Sequence, residues 1–177
     1  MNLWHDLELG KEAPEVFNVI IEIPKGSKNK YEVDKKTGLI KLDRAMKTGQ
    51  DYIFDYGFAP RTYWEDDDPL DVIVLSTYPL MPNILVEVRP VALMNMIDDG
   101  EGDDKIIAVP KDDPRWEEVN DLEDLNKHQL KEIKHFFETY KQIEEKTVEI
   151  SGFKGKKEAV EAVEKSVRLY EEKFGKK

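Results

Sequence analysis

The chain contains no cysteine among its 177 residues, which excludes disulfides, thiolate nucleophiles and thiolate zinc sites. It also lacks any run of about eighteen apolar residues, the length that a membrane-spanning helix requires. The first fifteen residues are acidic and lack the basic and apolar regions of a signal peptide. We therefore expect a soluble cytoplasmic protein with no membrane partner.

Positive charge is in the minority, since 27 Lys and Arg face 38 Asp and Glu and give a formal net charge of −11. Nucleic acids and anionic membranes require a basic face, so we expect neither as a partner. The chain also lacks a P-loop, a dinucleotide-binding glycine motif, a G-x-S-x-G elbow and an H-E-x-x-H zinc motif. If this protein binds an anion, the anion must therefore contact a small, local group of positively charged side chains or metal ions.

The apolar residues that are present predict one globular domain over residues 1–177, because 40% of the chain is hydrophobic and its length suits a single core. Alternating and β-branched segments predict strands, and Pro90 predicts a bulge or an edge in the longest of them. The expected strands are residues 16–23, 30–34, 39–44, 72–75, 84–97 and 106–109, with an aromatic segment at 52–58.

The last third of the chain predicts helices. Asp113 and Pro114 predict a short helical turn, and Asn126 with Gln129 predicts the start of a longer helix. A second helix with the same apolar spacing is expected at the C-terminal end. Short strands followed by two helices indicate a small closed or partly open barrel with the helices packed outside it.

Five carboxylates fall within the seven residues from Glu65 to Asp71, directly before an apolar strand. Two carboxylates about 4 Å apart repel by about 4 kcal/mol at an effective dielectric constant of 20, so they must separate or be neutralised. Pro69 favours an extended Asp68 and predicts that Asp66 and Asp68 point to the same side. Taken alone, the stretch is more typical of a solvated acidic turn at the entrance of a strand than of a cation site.

A second acid cluster, from Asp98 to Asp104, follows the longest predicted strand, so a barrel could bring the two clusters together at one end. Oxygen donors without soft partners favour Mg²⁺, Mn²⁺ or Ca²⁺. An EF-hand is excluded, because Leu70 and Asp71 occupy its fifth and sixth positions counted from Asp66.

Basic and phenolic side chains accompany the acids, namely Lys30, Arg44, Lys105 and Lys141 with Tyr52, Tyr56 and Tyr140. Each of them alone is more often a surface charge or a core aromatic. Together with two acid clusters they suggest an anionic substrate held between metal ions and basic groups, as phosphoryl transfer requires.

The segment from Asp66 to Val72 resembles the D-x-D-P-x-D signature of the family I soluble inorganic pyrophosphatases. Supporting segments occur in the same order along nearly the whole chain, at residues 21–24, 30–32, 43–44, 52–57, 98–105 and 135–141. The resemblance implies a mainly β fold, a five-stranded OB-type closed barrel with two α-helices outside. It also implies Mg²⁺-dependent hydrolysis of pyrophosphate to two phosphates by a homohexamer.

The resemblance also implies roles for individual residues. Metal ligands would be Asp66, Asp71, Asp98 and Asp103, with Glu22 and Glu32 ordering further metal or its waters. Asp68 would take the proton from a metal-bridging water. Phosphate would be bound by Lys30, Arg44, Tyr56, Lys105, Tyr140 and Lys141, with Tyr52 nearby. Asp55 and Asp99 depart from the family pattern. Both departures leave the metal and phosphate positions intact, so they affect only the fine positioning of the site residues.

Two other readings remain at this point. A non-catalytic divalent-cation-binding module would account for the acids but not for the lysines, the arginine and the tyrosines. A nucleic-acid-binding OB domain would account for a barrel with aromatic residues, but the net charge of −11 opposes it.

Overall fold

A computed structural model describes residues 1–34 and 36–175 of the chain. The strands are β1 (Phe17–Ile23), β2 (Asn29–Val33), β3 (Ile40–Ala45), β4 (Asp55–Phe58), β5 (Asp71–Val74), β6 (Leu85–Asp98), β7 (Glu101–Gly102), β8 (Lys105–Pro110) and β9 (Val148–Lys154). The helices are α1 (Lys127–Thr139) and α2 (Lys156–Phe174).

Five strands close into a ring. They pair in the order β1-β4-β5-β8-β6, and β6 pairs back to β1. The β5–β8 pair is parallel and the other pairs in the ring are antiparallel. β9 pairs with β6 outside the ring, and β2 with β3 forms a separate hairpin. The predicted mainly β fold, with a five-stranded closed barrel and two helices outside, is confirmed. That all 177 residues form one domain stays a prediction.

In the ring, β1, β5 and β8 bury both of their faces, which is why they read as nearly continuous apolar runs. Ile73 and Ile107 belong to the core cluster that includes α1, through Phe136 and Phe137. The alternate residues of the same strands pack instead in the cluster that includes α2, for example Val72 beside Val163. Alternation along each strand thus directs successive side chains to two cores, one under each helix.

Close packing of β1 against β4 depends on Gly57. A Cβ atom at this position would lie 1.9 Å from the backbone oxygen of Ile20, which no side chain tolerates. Gly57 therefore lets the two strands approach, next to the buried Tyr56.

The bulge predicted at Pro90 is present, since the register of β6 against β8 shifts between Pro90 and Ala92. The short turn predicted at Asp113 and Pro114 is present, since the N–H of Trp116 donates to the Asp113 backbone oxygen at 2.9 Å and the N–H of Arg115 to Asp113 Oδ1 at 3.2 Å. The Asp113 carboxylate also accepts hydrogen bonds from the backbone and hydroxyl of Thr77, 2.9 and 2.8 Å away. β9 was not predicted, although its buried Val148 and Ile150 alternate with exposed residues.

Helix α1 begins where the sequence predicts. The Asn126 side chain accepts hydrogen bonds from the N–H groups of His128 and Gln129 and so caps the helix. The other end of α1 carries Tyr140 and Lys141, which brings both side chains to the end of the barrel. In the described part of the chain, no helix has the length and apolar character to span a bilayer.

Candidate active site

A cavity of about 520 Å³ lies where several strands of the barrel end, and twelve of the thirteen predicted site residues line it. These are Glu22, Lys30, Glu32, Tyr56, Asp66, Asp68, Asp71, Asp98, Asp103, Lys105, Tyr140 and Lys141. They come from β1, β2, β4, β5, β6, β8, the loops beside them and the end of α1. The fold thus brings together residues that are more than a hundred positions apart.

Arg44 is the predicted residue that does not line this cavity. It lies on β3 opposite Lys30. Its guanidinium instead contacts Asp43, with an Nη1–Oδ2 distance of 2.6 Å, and Glu144, with an Nε–Oε1 distance of 3.5 Å.

A tight turn presents Asp66 and Asp68 to the cavity, as Pro69 predicted. Asp67 has a left-handed backbone with φ of 65°, and its exposed carboxylate accepts a hydrogen bond from the hydroxyl of Tyr63. The N–H of Asp68 donates to Asp66 Oδ1 at 3.3 Å. Asp66 and Asp68 therefore both face the cavity because of the left-handed backbone at Asp67, and not because they alternate along a regular strand.

Lys105 joins the two acid clusters. It is 2% exposed, and its Nζ lies 2.8 Å from Asp71 Oδ2 and 2.7 Å from Asp103 Oδ1. The parallel pairing of β5 with β8 sets Asp71 beside Lys105 in register. The Tyr56 hydroxyl also donates to Asp71 Oδ2, at 2.5 Å. Burial opposes the charge on Lys105, but Asp103 and Asp71 outweigh it and raise the pKa of this ammonium.

A second cation–acid pair stands on the α1 side of the cavity. Lys141 donates a hydrogen bond to Asp98 Oδ2, and its ammonium lies 5.3 Å from the ring centre of Tyr140. Asp98 Oδ1 is buried and has no hydrogen-bond partner among the residues that the structure describes. Burial raises the pKa of Tyr140, so its hydroxyl stays protonated and can donate to an anion.

The remaining acids are held in a poorly hydrated environment. Burial raises the pKa of Glu22 to about 8, although the Val33 N–H donates to its Oε1 at 2.7 Å. Burial, with Asp71 and Asp103 nearby, raises the pKa of Asp66 to about 7. Burial likewise raises the pKa of Asp103 against the effect of Lys105. In all three carboxyl groups burial is the largest cause of the raised pKa, and the nearby lysines do not outweigh it.

The chemistry of the donors fits a hard divalent cation such as Mg²⁺. The oxygen donors that line the cavity are mainly carboxylates, with no histidine among the lining residues, and one carboxylate oxygen, Asp98 Oδ1, is buried and unpartnered in the described chain. Within residues 1–34 and 36–175, no three His, Asp or Glu side chains are placed to hold one ion by themselves. Mg²⁺ commonly keeps several waters and takes one or two carboxylates together with substrate phosphates, so a site for it does not need three protein ligands in one cluster.

Some lining residues were not found from the sequence. Asn2 and Trp4 reach the cavity from the N-terminal segment, and no local pattern signals this. Lys41 also lines the cavity, and the hairpin pattern could have revealed it, because Lys41 pairs directly with Glu32. Asp55, which departs from the family pattern, is fully buried and accepts hydrogen bonds from the N–H groups of Lys25 and Leu80, both at 2.9 Å.

The site places carboxylates suited to a hard cation among lysines and tyrosines at the end of a closed barrel. This arrangement is typical of sites that bind phosphate anions. Comparison with known proteins agrees, since the family model "Inorganic pyrophosphatase" matches residues 19–171. The chain belongs to the inorganic pyrophosphatase family.

Individual relatives cover nearly all of the chain. A soluble inorganic pyrophosphatase of Zea mays is 53% identical over 167 residues, which are 94% of this chain and 78% of the relative. The crystal structure of inorganic pyrophosphatase from Thermus thermophilus is 46% identical, with a TM-score of 0.93 over 97% of this chain and 99% of that one. A truncated vacuolar soluble pyrophosphatase of Trypanosoma cruzi, in complex with PPi, is 25% identical, with a TM-score of 0.87 over 97% of this chain and 79% of that one.

The raised pKa of Glu22 predicts how stability depends on pH when divalent cations are removed with EDTA. Its pKa rises from 4.5 to about 8 on folding, so the folded state binds the extra proton between these values. The free energy of unfolding should therefore fall from pH 5 to pH 8, with a Glu22 contribution on the order of a few kcal/mol. Glu22→Gln, which stays neutral, should show a flatter profile in denaturant titrations.

Glu164→Gln, at an exposed position of α2, is the matched control and should keep the wild-type slope. An unchanged slope in Glu22→Gln would contradict the assignment of a raised pKa to this carboxyl group.

Proposed function

We propose that the chain hydrolyses inorganic pyrophosphate to two phosphates in a reaction that depends on Mg²⁺. Membership of the inorganic pyrophosphatase family supports the diphosphatase activity. The observation that carries the proposal is the alternation of acids with basic and phenolic groups around one cavity. Lys105 and Lys141 each contact an acid that faces this cavity, so cation and anion sites are adjacent.

The carboxylates that would hold Mg²⁺ are Asp66, Asp71, Asp98 and Asp103, with Glu22 and Glu32 further out. Mg²⁺, when bound, neutralises phosphate charge and makes a water easier to deprotonate. Asp66 and Asp103 gain most from a cation, because burial disfavours their charged forms. Glu32 is held by two lysines, with Lys41 Nζ at 3.0 Å and Lys30 Nζ at 3.7 Å from its oxygens.

Asp68 is the proposed general base. It lines the cavity on the same short turn as Asp66, so it can accept a proton from a water that approaches bound substrate. The water oxygen bonds to one phosphorus, the bridging P–O bond breaks, and the proton passes to the Asp68 carboxylate. The departing phosphate keeps the electron pair of the broken bond.

The phosphates would be bound by the cationic and phenolic residues that border the acids. Lys105 and Lys141 neutralise the charge that develops on the departing phosphate. Tyr56 and Tyr140 keep their hydroxyl protons, since burial raises the pKa of both. Lys30 lies at the outer end of this set, and Arg44 joins it only by turning from Asp43 and Glu144 toward the substrate.

A non-catalytic cation-binding module is the weaker proposal. It assigns no role to the buried Lys105 or to Lys141, and the family match opposes it. The discriminating measurement is phosphate release from pyrophosphate with and without Mg²⁺. We expect release to require Mg²⁺ and to be far faster than release from ATP or from a phosphate monoester, because the cavity has cations for phosphate groups at both ends.

Ca²⁺ should replace Mg²⁺ in binding but support little turnover, since its longer and looser coordination places ligands less strictly. Comparable rates on all three substrates would contradict the specificity for pyrophosphate. Full activity with Ca²⁺ alone would contradict the strict geometry proposed for the site.

We also propose a homohexamer in the cytoplasm. Both statements are supported by the family resemblance, and the cytoplasm also by the absence of cysteine. Light scattering at micromolar concentration should give about six times the chain mass of 20.6 kDa. A monomeric mass would remove the hexamer from the proposal, and cell fractionation would check the compartment.

The roles of Asp68 and Asp71 should separate in matched Asn variants. Asp71→Asn should chiefly weaken Mg²⁺ binding, because an amide oxygen is a poorer ligand than a carboxylate, so excess Mg²⁺ should restore part of the activity. Asp68→Asn should lose about 10²–10⁴ in kcat, the usual contribution of a general base, and Mg²⁺ should not restore it. Higher pH should restore part of it, because hydroxide needs no base.

The measurements are kcat against pH and a Mg²⁺ titration for both variants. If Asp68→Asn keeps kcat within about tenfold of wild type at neutral pH, or recovers in Mg²⁺ as fully as Asp71→Asn, then Asp68 is a ligand and not the base.

A further inference from the structure

The acidic stretch before β5 divides its side chains between two surfaces. Three of its carboxylates line the cavity, namely Asp66, Asp68 and Asp71. The other two contact lysines of α2 instead. Glu65 accepts a hydrogen bond from Lys165, and Asp67 Oδ1 lies 3.9 Å from Nζ of Lys173. The stretch is therefore held by α2, and the described residues of that helix do not line the cavity.

The contact between Glu65 and Lys165 is part of a wider docking of this segment on α2. The N–H of Tyr63 donates to the backbone oxygen of Ser166 at 3.0 Å, which holds the chain against the helix just before the acids. Nζ of Lys165 also lies 4.5 Å from the ring centre of Trp64, which is buried in the core under α2. An ammonium that contacts both a carboxylate and an indole ring has few other positions to adopt, so Lys165 fixes the Glu65 carboxylate in place.

Glu65 also contacts the second acid cluster. A Cβ atom at Gly102 would lie 2.5 Å from Oε2 of Glu65, so this carboxylate occupies the space that a side chain would need there. Gly102 ends β7, and the next residue is Asp103, while Glu65 itself is followed by Asp66. The Glu65 side chain therefore lies between the two segments that carry these acids, outside the cavity in which Lys105 joins the two clusters.

We propose that Glu65 and Lys165 are positioning residues for divalent-cation binding, because their ion pair sets the separation of the segments that carry Asp66 and Asp103. The inference rests on the proposed function, which takes these two acids as metal ligands. Mg²⁺ tolerates little departure from octahedral geometry, so ligands that are held less strictly bind it less tightly. Residues that hold metal ligands in place can therefore change metal affinity without touching the ion.

A long-range electrostatic effect is the alternative, and it predicts the opposite sign for one of the two residues. Removing the negative charge of Glu65 would weaken cation binding, but removing the positive charge of Lys165 would strengthen it. Loss of positioning weakens binding in both cases, because either change breaks the same ion pair. The sign of the effect at Lys165 is therefore the decisive observation.

The experiment measures the Kd of Mg²⁺ for the substrate-free protein by calorimetry, in wild type, Glu65→Gln and Lys165→Met. The Kd should rise about three- to fivefold in both variants, the range that a partly exposed ion pair permits. The double variant should show no further rise, because both changes remove one interaction. Lys165→Arg should stay close to wild type, since arginine also pairs with a carboxylate and stacks on an indole ring.

Two further readouts separate metal affinity from a general loss of structure. The rise in Tm that Mg²⁺ produces should be smaller in Glu65→Gln and Lys165→Met than in wild type. With pyrophosphate as substrate, kcat at saturating Mg²⁺ should stay within about twofold of wild type, because excess cation compensates for weaker binding.

Gly102→Ala tests the same contact without changing any charge. The three heavy atoms nearest to the added Cβ all belong to Glu65, so the substitution displaces this side chain. The Kd of Mg²⁺ should rise by a factor similar to that in Lys165→Met. In a Glu65→Ala background, Gly102→Ala should add nothing, because the side chain that it displaces is gone.

Lys157→Met is the matched control, since it removes the same charge from α2 at a residue that pairs with Glu161 at 3.8 Å, and it should leave the Kd unchanged. Tighter Mg²⁺ binding in Lys165→Met means an electrostatic effect alone and overturns the positioning role. Wild-type affinity in Glu65→Gln and Lys165→Met, or in Gly102→Ala, overturns it as well. If the wild type cleaves pyrophosphate, such results overturn this inference alone. A wild type that neither binds Mg²⁺ nor cleaves pyrophosphate overturns the proposed function with it.

Discussion

The buried ammonium of Lys105 is the interaction on which the arrangement of the site depends. Two carboxylates, Asp71 at the start of β5 and Asp103 in the short loop before β8, lie within 2.8 Å of it, and the lysine itself is 2% exposed. Removing one partner of a buried pair costs about 3–5 kcal/mol, because an uncompensated charge remains behind. The two acid clusters can therefore stand close together only while this lysine lies between them.

The ring of strands explains why Lys105 is in that position. β5 and β8 run parallel, so the residues that start both strands, Asp71 and Lys105, meet at the same end of the barrel. The antiparallel strand β6 finishes at that end and delivers Asp98. A closed sheet has a fixed register around its whole circumference, so a shift in one pair would move several site residues at once.

The distribution of charge gives an acidic protein the means to bind an anionic substrate. The chain as a whole repels anions, yet its cavity sets lysines among the carboxylates. Lys141 contacts Asp98 and Lys41 contacts Glu32. Under the proposed function, metal affinity and phosphate affinity would be coupled through these shared contacts, so a substitution at either lysine would change both.

Local patterns were sufficient to predict most of the secondary-structure elements. Three features depend on interactions within a few residues and can be predicted from the sequence. They are the helix cap at Asn126, the bulge at Pro90 and the pairing of the hairpin strands. The acid motif from Asp66 to Asp71 is equally local. β9 was not predicted because its alternation of buried and exposed residues is short and is interrupted at Gly152, whose φ is 154°.

Most of the strands, both long helices, the oxygen donors and the positive charges can be read from the amino-acid sequence. The positions of these groups relative to one another follow from the tertiary structure alone. It placed Lys105 between Asp71 and Asp103, turned Arg44 toward Asp43 and Glu144, and brought the N-terminal segment to the cavity. The physical reason is that charge–charge contacts and burial act through space, between residues far apart in the chain, and no local spacing encodes those distances.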